Sequence, residues 1–171
     1  MNTPLRQVLV WGALAVLLLV ADQYTKQLAS QTLRYGEQVY VTPFLNWTLL
    51  HNTGAAFSFL ADAGGWQNTL FSVIAILVSL FIVYWLATTP RSAPSQALAL
   101  TLVLSGALGN LYDRLTLGYV VDFVQFHYRQ YYWPAFNIAD SAITVGAGLL
   151  IIQSLFGKEI SVDTNPADGE S

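Results

Sequence analysis

Four long, mostly apolar runs constrain most strongly what this chain can fold into. The hydrocarbon core of a bilayer is about 30 Å thick, so a helix rising about 1.5 Å per residue crosses it with about 20 apolar residues. The runs lie at roughly 5–29, 66–86, 96–117 and 138–156. The second is the cleanest, with Trp66 at one end and Tyr84 and Trp85 at the other, where amphipathic rings favour the headgroup layer. The first turns polar in its last third. Only 10% of the residues are charged, whereas a soluble domain carries about 25%. These features predict an all-α membrane protein, a four-transmembrane-helix bundle in a single domain over 1–157. Arg6 and the apolar stretch after it resemble a cleavable leader. No small-x-small site follows, but Asp22-Gln23-Tyr24-Thr25-Lys26 does, so the segment reads as a retained first helix.

Composition narrows the chemistry. With no cysteine, disulfides, thiol nucleophiles and thiolate metal sites are excluded. His51 and His127 have no carboxylate at ligand spacing, so no metal and no cofactor are expected. The net charge of −3 comes largely from Glu159, Asp163, Asp168 and Glu170. Residues 158–171 offer little to bury and read as a disordered acidic tail. No basic run points to nucleic acid.

Two longer loops share one side of the bundle. Within 34–60, Gln38-Val39-Tyr40-Val41 and Leu45-Asn46-Trp47-Thr48-Leu49 flank Pro43 and predict a small curved sheet at the membrane surface. Residues 118–137 hold Tyr119, Phe123, Phe126, Tyr128, Tyr131, Tyr132 and Trp133 and read as an aromatic-rich loop in the headgroup layer. The loop either anchors the protein or covers a site.

Polar residues cluster near the same side. Asp22 and Lys26 are four apart on one helix face, as a structural ion pair or a substrate contact. Asn110 and Arg114 share a face of the third run. Arg114 either snorkels or pairs with Asp113 or another carboxylate, or it offers its forked donors to a substrate carbonyl. The small residues Ser105-Gly106-Ala107-Leu108-Gly109 allow close helix packing there. Asn137 stands three residues before Asp140 and suits a helix cap. A carboxylate at membrane depth costs roughly 2.5–3.5 kcal/mol on insertion scales, so Asp122 and Asp140 need a purpose. Two carboxyls brought together share a proton and activate water, as in aspartic proteases. A small proton-coupled transporter or channel subunit would use intramembrane Asp, Asn and Arg as well.

The ordered blocks are Asp22-x-x-Thr25-Lys26, Asn52-x-Gly54-Ala55-Ala56-Phe57-Ser58, Gly106-Ala107-x-Gly109-Asn110-x-x-Asp113-Arg114, Val121-Asp122-Phe123 and Phe136-Asn137-x-Ala139-Asp140. Together they resemble the bacterial lipoprotein signal peptidases (type II signal peptidases), which are intramembrane aspartic proteases. Ser105 departs from the glycine common there. The resemblance implies an endopeptidase that removes signal peptides from diacylglyceryl-modified prolipoproteins. It implies Asp122 and Asp140 as the catalytic dyad, with Asn52, Gly54, Asn110, Arg114, Asn137 and Ala139 lining the substrate site. It further implies the bacterial inner membrane, cytoplasmic termini, a periplasmic sheet and a site near the periplasmic face. The expected partners are lipid-modified prolipoproteins and membrane lipids, and the chain reads as a monomer.

Overall fold

The computed structural model describes residues 3–54 and 66–156, with side chains from Leu9 onward. The expected tail at 158–171 and the Ala55–Ser58 part of the second block lie outside the described residues. The element order is α1 (Thr3–Thr32), β1 (Gln38–Thr42), β2 (Leu45–Asn52), α2 (Trp66–Thr88), α3 (Pro94–Thr116), β3 (Val120–Tyr128), β4 (Tyr131–Tyr132) and α4 (Ile138–Phe156). The fold is thus mainly helical, with one small antiparallel sheet.

α2 is inside-out by the standard of a water-soluble protein. On α2 the buried residues are Gln67, Ser72, Ser79 and Ile82, whereas Leu70, Ile74, Leu77, Leu80, Phe81 and Val83 are exposed. An apolar exterior over polar contacts is what a hydrocarbon solvent selects. Hydroxyls within the helices bond back to their own turns: Thr101 Oγ1 donates to the Ala97 carbonyl at 2.7 Å and Thr25 Oγ1 to Ala21 at 2.8 Å.

Among the described residues three helical segments are long and apolar enough to cross a membrane: Leu9–Thr32, Trp66–Thr88 and Ile138–Phe156. The fourth expected span, α3, forms a helix of similar length but falls short in apolarity. Its position explains why. It packs against α1, α2 and α4, and its buried face carries Thr101, Ser105, Asn110 and Asp113 beside Leu100, Leu104 and Leu111. A helix surrounded by others needs few lipid-facing apolar groups. Ile82, Leu100 and Leu104 form an apolar cluster between α2 and α3.

The four strands run in the order β1-β2-β3-β4, all antiparallel. The sheet corrects the expectation of a loop over 118–137, because Val120–Tyr128 forms the longest strand. Leu50 pairs with Asp122 and Trp47 with Val124, so β2 has one residue more than β3 over this stretch. This bulge re-aims the chain beside Asp122. The Phe136 backbone then closes on β3, accepting from the N–H groups of Phe123 at 3.1 Å and Val124 at 2.9 Å. That contact brings the start of α4 against Asp122.

The α3–α4 contact depends on missing side chains. A Cβ on Gly106 would collide with the Ala139 carbonyl oxygen, and one on Gly146 would lie 2.6 Å from the Ala99 carbonyl oxygen. Gly148 has open space. We predict that Gly106→Ala destabilises the protein by about 1–3 kcal/mol through overpacking, despite alanine's better helix propensity. Gly148→Ala should be neutral or slightly stabilising. Thermal unfolding in detergent checks both; equal melting temperatures would show that the helices separate freely.

Candidate active site

Asn137 organises the site. Its side-chain oxygen accepts from the Asp140 N–H at 2.9 Å, while its own N–H donates to Asp140 Oδ2 at 3.3 Å. These reciprocal bonds are a capping box that starts α4. The Asn137 Nδ2 group faces three acceptors: Asp122 Oδ1 at 2.8 Å, the Val121 carbonyl at 3.2 Å and Asn110 Oδ1 at 3.3 Å. One residue therefore donates to both carboxylates, although they lie in different elements. Asn110 completes the bridge, donating from Nδ2 to Asp140 Oδ1 at 2.7 Å.

Asn52 and Gly54 approach from β2. Asn52 Nδ2 donates to Asp122 Oδ2 at 3.1 Å, and its oxygen accepts the Gly54 N–H at 2.9 Å. Gly54 has φ +100°, where a side chain is strained, and a Cβ there would lie 2.7 Å from the Phe71 ring. Burial pushes the Asp122 carboxyl up to about 7, with the charge of Asp140 adding to the effect. Hydrogen bonds from Asn52 and Asn137 and the Lys26 charge work against that rise.

The expected Asp22–Lys26 pair is present at 2.8 Å. The sequence reading missed its third member: Lys26 Nζ also contacts Asp113 Oδ2 at 3.0 Å. The third ammonium proton goes to Asn110 Oδ1 at 3.0 Å. Gln23, three residues from Lys26 on α1, donates to Asp113 Oδ1 at 2.9 Å. Asp22 Oδ1 accepts the Ala139 N–H at 2.8 Å, reaching the first turn of α4. Asp113 pairs with Lys26, and Arg114 makes no ion pair among the described residues. Arg114 instead donates from Nη1 to the Asn110 carbonyl at 3.3 Å and stands 5.5 Å from the Phe71 ring centre. Its Nε is buried without a partner among the described residues. Ala139 is fully covered, packed toward Gly109 and Asp22. Neither Phe71 nor Gln23 carries a sequence signal beyond helix spacing.

The histidines stand apart from this network. His51 stacks on Tyr119 at 4.0 Å, and burial lowers its pKa. His127 lies among sheet aromatics. Among the described residues no three His, Cys, Asp or Glu side chains are grouped to hold a metal.

Residues 14–156 match the family model of signal peptidase (SPase) II. The chain belongs to the signal peptidase II family. It is 55% identical over 148 residues to a lipoprotein signal peptidase of Acinetobacter baylyi, covering 86% of this chain and 83% of that one. It is 52% identical to one of Teredinibacter turnerae, covering 90% and 91%. A solved structure described as a bacterial membrane enzyme obtained by the in meso method shares 34% identity and a TM-score of 0.77, over 95% of this chain and 94% of that one. A second structure so described shares 35% identity and a TM-score of 0.76, over 87% and 94%. The chain is an aspartic endopeptidase, and this replaces the transporter alternative.

Lys26 joins α1 to α3 with its ammonium fully buried. We predict that Lys26→Met destabilises the protein by about 3–5 kcal/mol, because two buried carboxylates lose their counter-charge. Adding Asp113→Asn should restore part of the loss. Melting temperatures of the single and double variants in detergent decide this, and an unchanged value for Lys26→Met would refute it.

Proposed function

We propose that Asp122 and Asp140 are the catalytic dyad with which this lipoprotein signal peptidase cleaves prolipoproteins on the N-terminal side of the lipid-modified cysteine. The convergence of both carboxylates on Asn137 carries this reading. Two carboxyls that converge on one side chain do not both ionise readily, and burial raises the Asp122 carboxyl to about 7, so in this mechanism the pair shares one proton near neutral pH with Asp122 as its carrier. Asp140 then takes a proton from water as the water oxygen attacks the scissile carbonyl carbon. Asp122 donates to the developing oxyanion, and the dyad returns a proton to the leaving amine.

Asn110 and Asn137 hold the two carboxyls in register, and Asn52 fixes Asp122 from the opposite side. Gly54 leaves room for a substrate backbone next to the Asn52 turn. Arg114 offers guanidinium donors to a substrate carbonyl, and its unpaired Nε supports that role. Ala139 contributes as a small packing residue that lets α3 and α4 close around the site. Asp22 and Lys26 act as the ion pair that orders the first helix.

The membrane arrangement follows from the same reading. All four helices span the inner membrane, α3 shielded by its neighbours, with both termini cytoplasmic and the dyad toward the periplasmic face. The sheet lies at that surface among its aromatic side chains. Acyl chains of the substrate reach the site laterally from the bilayer, and the protein works as a monomer.

Cleavage of a purified lipidated prolipoprotein tests the dyad. Asp122→Asn and Asp140→Asn should each lower kcat/KM at least about 100-fold while leaving the melting temperature near that of the parent. The singly protonated dyad is lost as pH rises through the Asp122 value of about 7, so kcat/KM should fall above that pH. Near-normal turnover by either variant would sink the assignment.

Arg114→Ala should lower kcat/KM by at least about tenfold, because a charged hydrogen bond is worth roughly 1.5–3 kcal/mol. Arg114→Lys should recover only part of the loss. If neither substitution changes cleavage, Arg114 serves only to pack on Phe71.

A further inference from the structure

The sheet carries a second polar constellation that shares no residue with the carboxylate network. Tyr40 pairs with Asn46, and Asn46 with Gln125, so their side chains stand on one face. Gln38 joins them, donating to Gln125 Oε1 at 3.0 Å. His127 follows two residues after Gln125 and pairs with Tyr132. A groove of about 520 Å³ opens over this face, lined by Tyr40, Phe44, Tyr128 and Tyr132 together with Asn46 and His127.

Three polar atoms of Asn46 and His127 have no hydrogen-bond partner among the described residues. Asn46 is 3% exposed, yet its Oδ1 has no hydrogen-bond partner among the described residues. Both ring nitrogens of His127 are also buried, and among the described residues neither has a partner. A native sheet rarely leaves three such atoms unpaired, because each forfeits its hydration on folding. Arg129 stands at the rim with φ +54°, its guanidinium 5.5 Å from the Tyr128 ring centre. No Asp or Glu lines the groove.

We propose that this groove binds the phosphate-bearing head group of an anionic glycerophospholipid. Arg129 takes the phosphate oxygens, as a guanidinium does. The His127 nitrogens are covered in the free groove, and binding turns the ring so that one N–H meets the same group. Asn46 Oδ1, uncovered by the same movement, accepts a proton from a hydroxyl of the head group, and the aromatic side chains cover the adjoining carbons. Tyr131 and Trp133, both exposed beside the groove, suit a place where acyl chains leave for the bilayer. The site is independent of the peptidase assignment and holds whether or not the dyad does.

Calorimetric titration of the full chain in detergent tests this with three probes. They are dihexanoylphosphatidylglycerol, the chain-free glycerophosphoglycerol and the phosphate-free dihexanoylglycerol. The first should bind saturably. Arg129→Asn keeps a residue type that tolerates positive φ and removes the charge, and it should weaken that binding at least about tenfold. Asn46→Ala should weaken it as well, with cleavage of prolipoprotein unchanged in the Arg129 variant. Equal binding of glycerophosphoglycerol would mean that a soluble phosphodiester fills the same site; loss of binding without the chains would mean that a membrane lipid does. Equal binding of dihexanoylglycerol, or unchanged affinity in both variants at unchanged melting temperature, would overturn the proposal.

Discussion

The buried ammonium of Lys26 is the constraint on which the rest of the structure depends. Its partners are Asp22 on α1 and Asp113 and Asn110 on α3. An ammonium has only protons to give, so it fixes the oxygen of the Asn110 amide toward itself. The amide nitrogen must then face the other way, toward Asp140. Asp22 uses its second oxygen on the Ala139 N–H, and α4 joins the same knot. A charge that is costly to bury thereby sets the mutual positions of three helices and the orientation of a side chain at the carboxylates.

The two carboxylates reach the site by different routes. Asp140 is held by the cap of α4, a local consequence of Asn137-Ile138-Ala139-Asp140. Asp122 arrives on a strand whose partner contains an extra residue, and it is held by side chains from elsewhere in the chain. The helical carboxylate therefore has much of its geometry built in, whereas the strand carboxylate depends on the whole sheet docking correctly. Substitutions in β2 that shift its register should disturb Asp122 before they disturb Asp140.

Much of this was legible in the sequence where local rules apply. The apolar run near 138–156 marks the helix Ile138–Phe156, and the Asp22–Lys26 pair follows from spacing four on a helix. The capping role of Asn137 followed from residue type. The strand at Val120–Tyr128 reads as loop when its density of rings is matched to the headgroup layer. Its run of β-branched and aromatic residues was the available signal. Arg114 is the local candidate partner of Asp113, but tertiary packing gives Asp113 to Lys26 on α1. No local pattern encodes that choice. The lower apolarity of α3 likewise reflects where it sits among its neighbours, which composition alone does not reveal.

The i,i+4 spacing of Asp22 and Lys26 also bears on biogenesis. The first helix reaches the bilayer before the third has been synthesised, so Lys26 must at that stage do without Asp113. An opposite charge one turn away lets the segment partition as a neutral unit and lowers the cost of carrying two ionised groups into hydrocarbon. When the third helix arrives with Asp113, the ammonium already holds one carboxylate and accepts another. The same side chain thus serves first as a partitioning aid and afterwards as an assembly latch between α1 and α3.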